Sequence, residues 1–151
     1  MSRYAADTQV SPERSRAEIE RTLAKYGATD FGYMLSASAV MIAFRASDRA
    51  VRFALELPPV EAFARGGRGT RSAAAMKAAQ EQAIRQRWRC LALAIKAKLE
   101  VVESGISTFE QEFLAHIVLA DGKTVAQKIL PAIADDYRSG KPVPLLLAEA
   151  P

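Results

Sequence analysis

The sequence predicts an α+β domain in which helices cover one face of a small antiparallel sheet. Apolar residues recur at helical spacing before residue 27, alternate between residues 30 and 58, and return to helical spacing after residue 72. The predicted element order is therefore α-β-β-β-α-α-α, which belongs to the α+β class. At 151 residues, half of them hydrophobic, the chain is long enough for one core but short for two.

The first helix is predicted over residues 12–26, after a flexible N-terminus at residues 1–10. Ser11 is a typical N-cap residue, and Pro12 suits the first helical position because its missing N–H is not needed there. Gly27 suits the end of the helix. The apolar stripe of this helix consists of Ile19, Leu23 and Tyr26.

Three antiparallel strands in a meander are predicted between residues 30 and 58, joined by polar turns at residues 36–38 and 47–49. The alternation predicts one face that packs on helices and one face in water. Pro58 and Pro59 end the last strand. The residues expected to face inward are Phe31, Tyr33 and Leu35, then Val40, Ile42 and Phe44, then Val51, Phe53, Leu55 and Leu57.

A long basic amphipathic helix is predicted from Ser72 to about Ser104. Its apolar stripe consists of Ile84, Trp88, Leu91, Ile95, Leu99 and Val102. At ~1.5 Å per residue the helix reaches ~45–50 Å, which is long for a small domain. We therefore expect it either to break near residues 76–80 or to project. A projecting stripe between Trp88 and Leu99 would support a homo-oligomer.

Two shorter helices are predicted after the long one. Ser107 and Glu110 have the spacing of a capping box, which predicts a helix over about residues 108–119. Thr124 can cap a final helix, which Pro131 should kink or divide.

The chain is expected to form one domain at residues 11–140, followed by an irregular tail at residues 141–151. No apolar run approaches the ~18 residues of a membrane span, and the N-terminus lacks the apolar core of a signal peptide. The single cysteine, Cys90, excludes an internal disulfide and fits a reducing compartment. We therefore expect a cytoplasmic protein with no membrane partner.

The sequence offers little support for catalysis or metal binding. The stretch "DGKT" at residues 121–124 resembles the end of a phosphate-binding loop, but Ile117 stands where that loop needs a glycine. His116 has no second histidine or cysteine beside it, and Cys90 has no histidine to serve as its base. The sequence therefore predicts a protein without catalytic residues, metal or cofactor.

Positive charge is concentrated between Arg65 and Lys98, although the whole chain carries only +4. This segment has nine basic residues and one acidic residue, Glu81, so it carries +8 and leaves −4 for the rest of the chain. Segregated charge of this kind is typical of a surface that meets a polyanion, and a solvated helix face is the alternative. Candidates for base stacking, with burial in the core as the alternative for each, are Phe31, Tyr33 and Trp88.

The basic segment predicts two phosphate-binding elements, with Lys77 between them. The loop "ARGGRGTR" at residues 64–71 is expected to be mobile and to adapt to a phosphate backbone without sequence preference. On the long helix, Arg85, Arg89 and Lys96 fall within ~40° of one another at ~100° per residue, so they form a row. Such a row can follow phosphates and displace their counterions.

Three stretches resemble a family of small proteins from phages and prophages of GC-rich bacteria. They are "SPERSRAEIERTLAKYGA", "RQRWRCLALAIKAKLE" and "STFEQEFLAHIVL". The resemblance covers most of the chain and implies a phage origin and a bacterial host cell, but it implies no function.

The element order and the stretch "AAAMKAAQEQAIRQRWRCLALAIK" also resemble the core of Rad52-type single-strand annealing proteins. In that family DNA lies in a basic groove formed by the hairpin and the helix after the sheet, and subunits assemble into rings or filaments. The residues that the resemblance places on phosphate are Arg65, Arg68, Arg71, Arg85, Arg87 and Arg89, assisted by Arg45, Arg49 and Arg52. Double-stranded RNA-binding domains share the α-β-β-β-α order, but "AAAMKAAQ" lacks the lysine-rich start of their last helix.

Charge and resemblance together predict a phage-type protein that binds nucleic acid, preferentially single-stranded DNA, in recombination, annealing or replication. The main alternative is a small protein-interaction module, an inhibitor or adaptor of a host protein that uses the same basic surface. A small virion assembly protein is a third class, which the long helix would suit.

Overall fold

Residues 3–141 are described by a computed structural model, which confirms the predicted α+β class. One antiparallel sheet is formed, in this order, by β1 (Asp30–Leu35), β2 (Ala39–Ala46) and β3 (Arg49–Glu56). The helices whose residues share its core are α1 (Pro12–Lys25), α2 (Ala73–Glu103) and the short α3 (Phe109–Phe113). They cover one face of the sheet and leave the other uncovered.

Helix α1 forms within one residue of the predicted limits. The Ser11 side chain accepts a hydrogen bond from the backbone N–H of Arg14, as expected of an N-cap. Ile19 and Leu23 are buried against the sheet and α2. Tyr26 follows the last turn and lies partly buried at the edge of this core. The predicted stripe therefore anchors α1.

The sheet has the predicted alternation, with one difference in β1. Ser47 and Asp48 join β2 to β3 with φ angles of 49° and 58°, the left-handed conformation of a type I′ hairpin turn. The inward residues of β2 and β3 are buried or half-buried. Strand β1 lies at the edge of the sheet, where Tyr33 faces inward against Trp88 while Leu35 is exposed. The helices thus end short of the last residues of β1.

Helix α2 is one unbroken element of 31 residues, so it does not break near residues 76–80. Its buried residues are Trp88, Ala92, Ile95 and Leu99. The turns before Ile84 extend beyond this core, and there Gln80 donates a hydrogen bond to the carbonyl oxygen of Pro58 at 2.9 Å. The apolar stripe is therefore packed within the chain, with Ile84, Leu91 and Val102 partly buried.

Residues 3–10, predicted to be flexible, lie along α2. The side-chain amide of Gln82 donates to the carbonyl oxygen of Ala6 at 2.8 Å, and that of Gln86 donates to the carbonyl oxygen of Tyr4 at 2.9 Å. These hydrogen bonds satisfy backbone acceptors that have no partner in a strand or helix. Amide side chains on α2 therefore help to hold this segment.

Phe113 is at the centre of the core and is fully buried. Its ring meets those of Phe44 and Phe53 edge to face, with centroids 5.9 Å and 6.3 Å away, and stacks on Phe109 at 4.6 Å. These are the arrangements that aromatic rings prefer. A five-residue helix therefore closes the core formed by two strands and α2.

The chain after α3 differs from the prediction of a helix to residue 119. Helix α3 ends at Phe113, and a 3₁₀ helix at Leu114–His116 follows it. Ile117 then takes extended backbone and bridges to Val51 on the free edge of β3. β-branched residues favour extended backbone beside a strand, which overrides the helical spacing here.

Each C-terminal helix begins with a capping box. The residue pairs are Thr108 with Gln111 for α3, and Thr124 with Gln127 for α4 (Val125–Arg138). The first pair lies one residue after the predicted pair, Ser107 and Glu110. Pro131 lies inside α4 without dividing it. Of the predicted irregular tail, all but Lys141 lies outside the described residues.

Replacement of Phe113 by alanine should lower the free energy of unfolding by about 3–5 kcal/mol, because it leaves a cavity among three other rings. Urea unfolding followed by circular dichroism measures this loss. Leu114→Ala is the matched control, because Leu114 is exposed and its truncation should cost under about 1 kcal/mol. Equal losses for the two variants would contradict the described core.

Candidate nucleic-acid interface

A basic cleft lies between α1 and α2. Its volume is about 340 Å³, and its lining residues are Val10, Arg14, Ala17, Glu18, Arg21 and Arg89. Arg14, Glu18 and Arg21 follow one another at spacings of four and three, so they occupy one side of α1. Cationic side chains from two separate helices therefore meet at one place.

Glu18 is the single acid of this cleft and fixes one of its cations. Its carboxylate accepts a hydrogen bond from Nη1 of Arg89 at 2.5 Å. This hydrogen bond lowers the pKa of Glu18 below 4.5, a shift that partial burial opposes and the charges of Arg89, Lys96 and Arg21 reinforce. The same bond raises the pKa of Arg89. Arg89 is therefore a positioned charge at the floor of the cleft.

Three further cations near this pair are exposed: Arg14 and Arg21 line the cleft, and Lys96 follows Arg89 two turns later on the same side of α2. Their side chains make no hydrogen bond or ion pair within residues 3–141. With Arg89 they outnumber Glu18 by four charges to one. The cleft therefore has a net positive charge and three side chains that can turn towards a ligand.

The remaining predicted arginines of α2 divide between two sides of the helix. Arg85 hydrogen-bonds through its guanidinium to the side chain of Gln82, one turn earlier. Arg87 donates to the carbonyl oxygen of Glu56 at 2.5 Å, at the end of β3. Arg85 thus belongs to the side of α2 that bears Arg89, whereas Arg87 points away from the cleft towards the sheet.

The glycine- and arginine-rich loop forms a small hairpin of β4 (Arg65–Gly66) and β5 (Gly69–Thr70). Arg71 closes it, because its Nη1 donates to the carbonyl oxygens of Phe63 and Arg65, each at 3.2 Å. A Cβ at Gly66 would lie 2.8 Å from this guanidinium, which explains why a glycine suits the position. Arg71 therefore holds the hairpin together instead of standing free.

Other basic residues of the segment are exposed. They are Arg65 and Arg68 on the hairpin and Lys77 on the second turn of α2. From Ser72, at the base of the hairpin, to Lys96 the helix rises ~36 Å at ~1.5 Å per residue. The exposed charges of the hairpin therefore lie at the start of the long helix, whereas Arg89 lies at its middle and Lys96 in its C-terminal half.

The three arginines of the sheet lie outside the cleft, and each has a partner. Arg45 pairs with Asp30 at 3.3 Å, and Arg49 pairs with Glu110. Arg52 donates to the carbonyl oxygen of Gly122 at 2.7 Å. The two that alternate outwards, Arg45 and Arg52, belong to the sheet face opposite the helices.

The aromatic residues predicted to stack on bases are mostly occupied. Trp88 is buried and contacts Tyr33, with ring centroids 6.1 Å apart. The guanidinium of Arg16 lies over the ring of Tyr33, 4.8 Å from the ring centroid. Tyr4, which the sequence did not single out, is 54% exposed, and its carbonyl oxygen accepts a hydrogen bond from Gln86, three residues before Arg89 on α2. Tyr4 is therefore an exposed aromatic residue on the segment that lies along α2.

His116 and Cys90 have ordinary packing environments. The imidazole of His116 stacks on Phe53 with centroids 4.0 Å apart, and burial, with the charge of Lys98, lowers its pKa. Cys90 is half-buried, and its Sγ faces the carbonyl oxygen of Tyr4. Among residues 3–141 no three His, Cys, Asp or Glu side chains are grouped closely enough to hold a metal ion.

Sequence reasoning missed the contribution of α1 to this surface. Arg14, Glu18 and Arg21 lie outside the segment where basic residues are dense, so a count of charge along the chain passes over them. Their helical spacing was a readable signal of a shared side, but their partner helix follows about 70 residues later in the chain. Only the packing of α1 beside α2 brings the two sets together.

Comparisons with known proteins leave the function to be argued from the cleft. No family model, curated protein or solved structure matches the chain. Within the part of the chain that the structure describes, no helix is both long and apolar enough to cross a bilayer. The convergence of cations between α1 and α2 is thus the strongest indication of function in the described structure.

Replacement of Glu18 by glutamine should lower stability at pH 7 by at most about 1 kcal/mol, since the pair with Arg89 is only partly buried. Because folding lowers the pKa of Glu18, its contribution is complete above pH 4.5 and is lost as pH falls through the folded pKa. The difference between wild type and Glu18→Gln should therefore shrink in acid. Urea unfolding at pH 7 and pH 3 measures it, with Glu20→Gln, on the exposed side of α1, as the control. A difference that stays constant between these pH values would contradict the assigned ion pair.

Proposed function

We propose that this protein binds nucleic acid, preferentially single-stranded DNA, and acts in phage-type recombination, strand annealing or replication. The observation that carries the proposal is the cleft between α1 and α2, where four cations from two helices surround one carboxylate. The alternative interpretation, a solvated helix face, explains charge along one helix but does not require cations from a second helix to lie beside it. Cations from separate elements at one place are typical of a site for a multivalent anion.

The cleft offers two kinds of phosphate contact. Arg89 is held in position by Glu18, so little side-chain entropy is lost when a phosphate meets it. Arg21 and Lys96 are exposed and reach the same region from opposite helices. Each contact with phosphate releases condensed counterions, so affinity should fall steeply with salt.

Tyr4 and the hairpin extend this site along the chain. Exposed aromatic rings near cations stack on unpaired bases, and Tyr4 is exposed on the segment held to α2 by Gln86, three residues before Arg89. At the other end of the basic segment, Arg65 and Arg68 can bind the same strand. A single strand can bend between these positions and expose its bases to Tyr4, which supports a preference for single strands over duplex.

A protein partner with an acidic surface is the second candidate. It is favoured by Glu18, because a carboxylate amid the cations opposes a uniformly negative phosphate backbone, whereas separate carboxylates on a protein surface can each meet one of the exposed cations. In that case the protein would be an inhibitor or adaptor that uses the same surface.

The double variant Arg21→Glu/Lys96→Glu should bind a fluorescein-labelled single-stranded oligonucleotide at least tenfold more weakly than wild type at low salt. The plot of log affinity against log salt should also become shallower by about two, since about one unit is expected per lost phosphate contact. Fluorescence anisotropy at several salt concentrations, with single-stranded DNA, duplex DNA and single-stranded RNA, measures both quantities. Neither residue has a side-chain partner in the described structure, so the fold should be retained.

The matched control is Lys123→Glu/Lys141→Glu, which changes net charge equally at exposed positions away from the cleft. It should keep most of the affinity. Equal losses for the two double variants would show that general charge, rather than the cleft, binds the strand. No binding of wild type at low salt would overturn the proposal and favour an acidic protein partner.

A further inference from the structure

The outer face of the sheet is uncovered, and apart from Asp30, Arg45, Arg52 and Glu56 it lacks the polar side chains expected of a face in water. Its outward positions consist mostly of small and sulfur-containing residues, namely Gly32, Met34, Met41, Ala43, Ala50 and Ala54. Together with Tyr33 and Arg52, four of these line a shallow hollow of about 240 Å³. A floor of glycine and alanine between methionines has the shape and chemistry to receive an amphipathic helix.

Helix α4 presents an apolar face that nothing in residues 3–141 covers. Its large apolar side chains are 46% to 66% exposed: Ile129, Leu130, Ile133 and Tyr137. They fall on one side at helical spacing. From Gln127 to Arg138 every residue of the helix is exposed. Two apolar surfaces in one chain, a helix face and a sheet face, therefore lack partners.

The start of α4 is held by contacts within the chain. Val118 bridges to Thr124, and Lys128 pairs with Asp121 at 2.9 Å. Arg52 reaches from the edge strand to the carbonyl oxygen of Gly122, in the turn before the helix. These contacts fix the start of α4 at the edge of its own sheet, yet every residue from Gln127 to Arg138 stays exposed, so a second copy of the chain is the favoured partner.

Helix α4 and the open sheet face have complementary charges and similar lengths. Asp136 lies at the edge of the apolar side of α4, within ~20° of Ile129 at ~100° per residue, and its carboxylate has no partner in residues 3–141. On the open sheet face Arg45 is 57% exposed and pairs only with the exposed Asp30. The seven-residue rise from Ile129 to Asp136 is ~10 Å, and the four-residue rise from Met41 to Arg45 is ~13 Å. An apolar contact at one end and an ion pair at the other can therefore form together.

We propose that α4 of one copy docks on the open sheet face of a second copy, with Asp136 beside Arg45 of the neighbouring molecule. This contact joins two different surfaces of the chain. Two copies can each place α4 on the sheet of the other and form a closed dimer, or the contact can repeat from copy to copy in a larger assembly. The closed dimer contains this contact twice, and the doubled buried area approaches the ~1,200–2,000 Å² of stable interfaces. The inference is independent of the basic cleft, which lies in the helix layer on the other face of the sheet.

The test is the oligomeric state of the full chain, measured by size-exclusion chromatography with light scattering after nuclease treatment. Wild type should be dimeric or larger at micromolar concentration. Asp136→Arg and Arg45→Asp should each raise the dissociation constant of the assembly at least tenfold. The double variant Asp136→Arg/Arg45→Asp, and an equimolar mixture of the single variants, should recover assembly because the ion pair is restored with reversed polarity.

Asp135→Arg is the matched control, because Asp135 is adjacent in sequence but lies on the other side of α4 beside Arg138, and it should assemble like wild type. Ile133→Asp should abolish assembly and leave thermal stability unchanged, since Ile133 contributes nothing to the core. A monomeric wild type, or an oligomer that Ile133→Asp does not affect, would overturn the proposal. The proposal would also be overturned if both single variants, Asp136→Arg and Arg45→Asp, lost assembly and the double variant did not recover it.

Discussion

The burial of one apolar stripe of α2 against the inner face of the sheet is the interaction on which the rest of the structure depends. Trp88, Ile95 and Leu99 are almost fully buried there, and the Phe113 cluster completes the same core from α3. Because this stripe fixes the rotation of α2 about its axis, it also determines which part of the chain each other side of the helix faces. Arg89 faces α1, Arg87 faces the end of β3, and Gln82 and Gln86 face the N-terminal segment.

The cleft follows from this placement through electrostatics. Cations in a row repel one another, and the structure offsets part of that repulsion with one carboxylate, Glu18, at the point where the two helices meet. The ion pair holds Arg89 and leaves Arg21 and Lys96 exposed. The surface therefore combines one fixed charge with adaptable ones, an arrangement that suits an irregular anion such as a single nucleic-acid strand.

Much of the fold could be predicted because local patterns and packing agree. The stripe of α2, the alternation of β2 and β3 and the cap of α1 are all signals within a few residues of chain, and the structure confirms them. The site was harder to predict from the sequence, since its geometry depends on contacts between distant segments. The loop with Arg71 became a closed hairpin, and Ile117 joined the edge of β3 instead of continuing a helix. In the first case side-chain hydrogen bonds across the loop decided the local structure, and in the second a bridge to a strand distant in sequence did.

The central claim, that a single strand lies between α1 and α2, is tested most directly by photo-crosslinking of a bromodeoxyuridine-substituted oligonucleotide followed by mass spectrometry of the crosslinked peptides. The account predicts crosslinks to Tyr4 and to peptides of α1 and α2 that line the cleft. Crosslinks confined to the open face of the sheet, around Met34 and Met41, would contradict it.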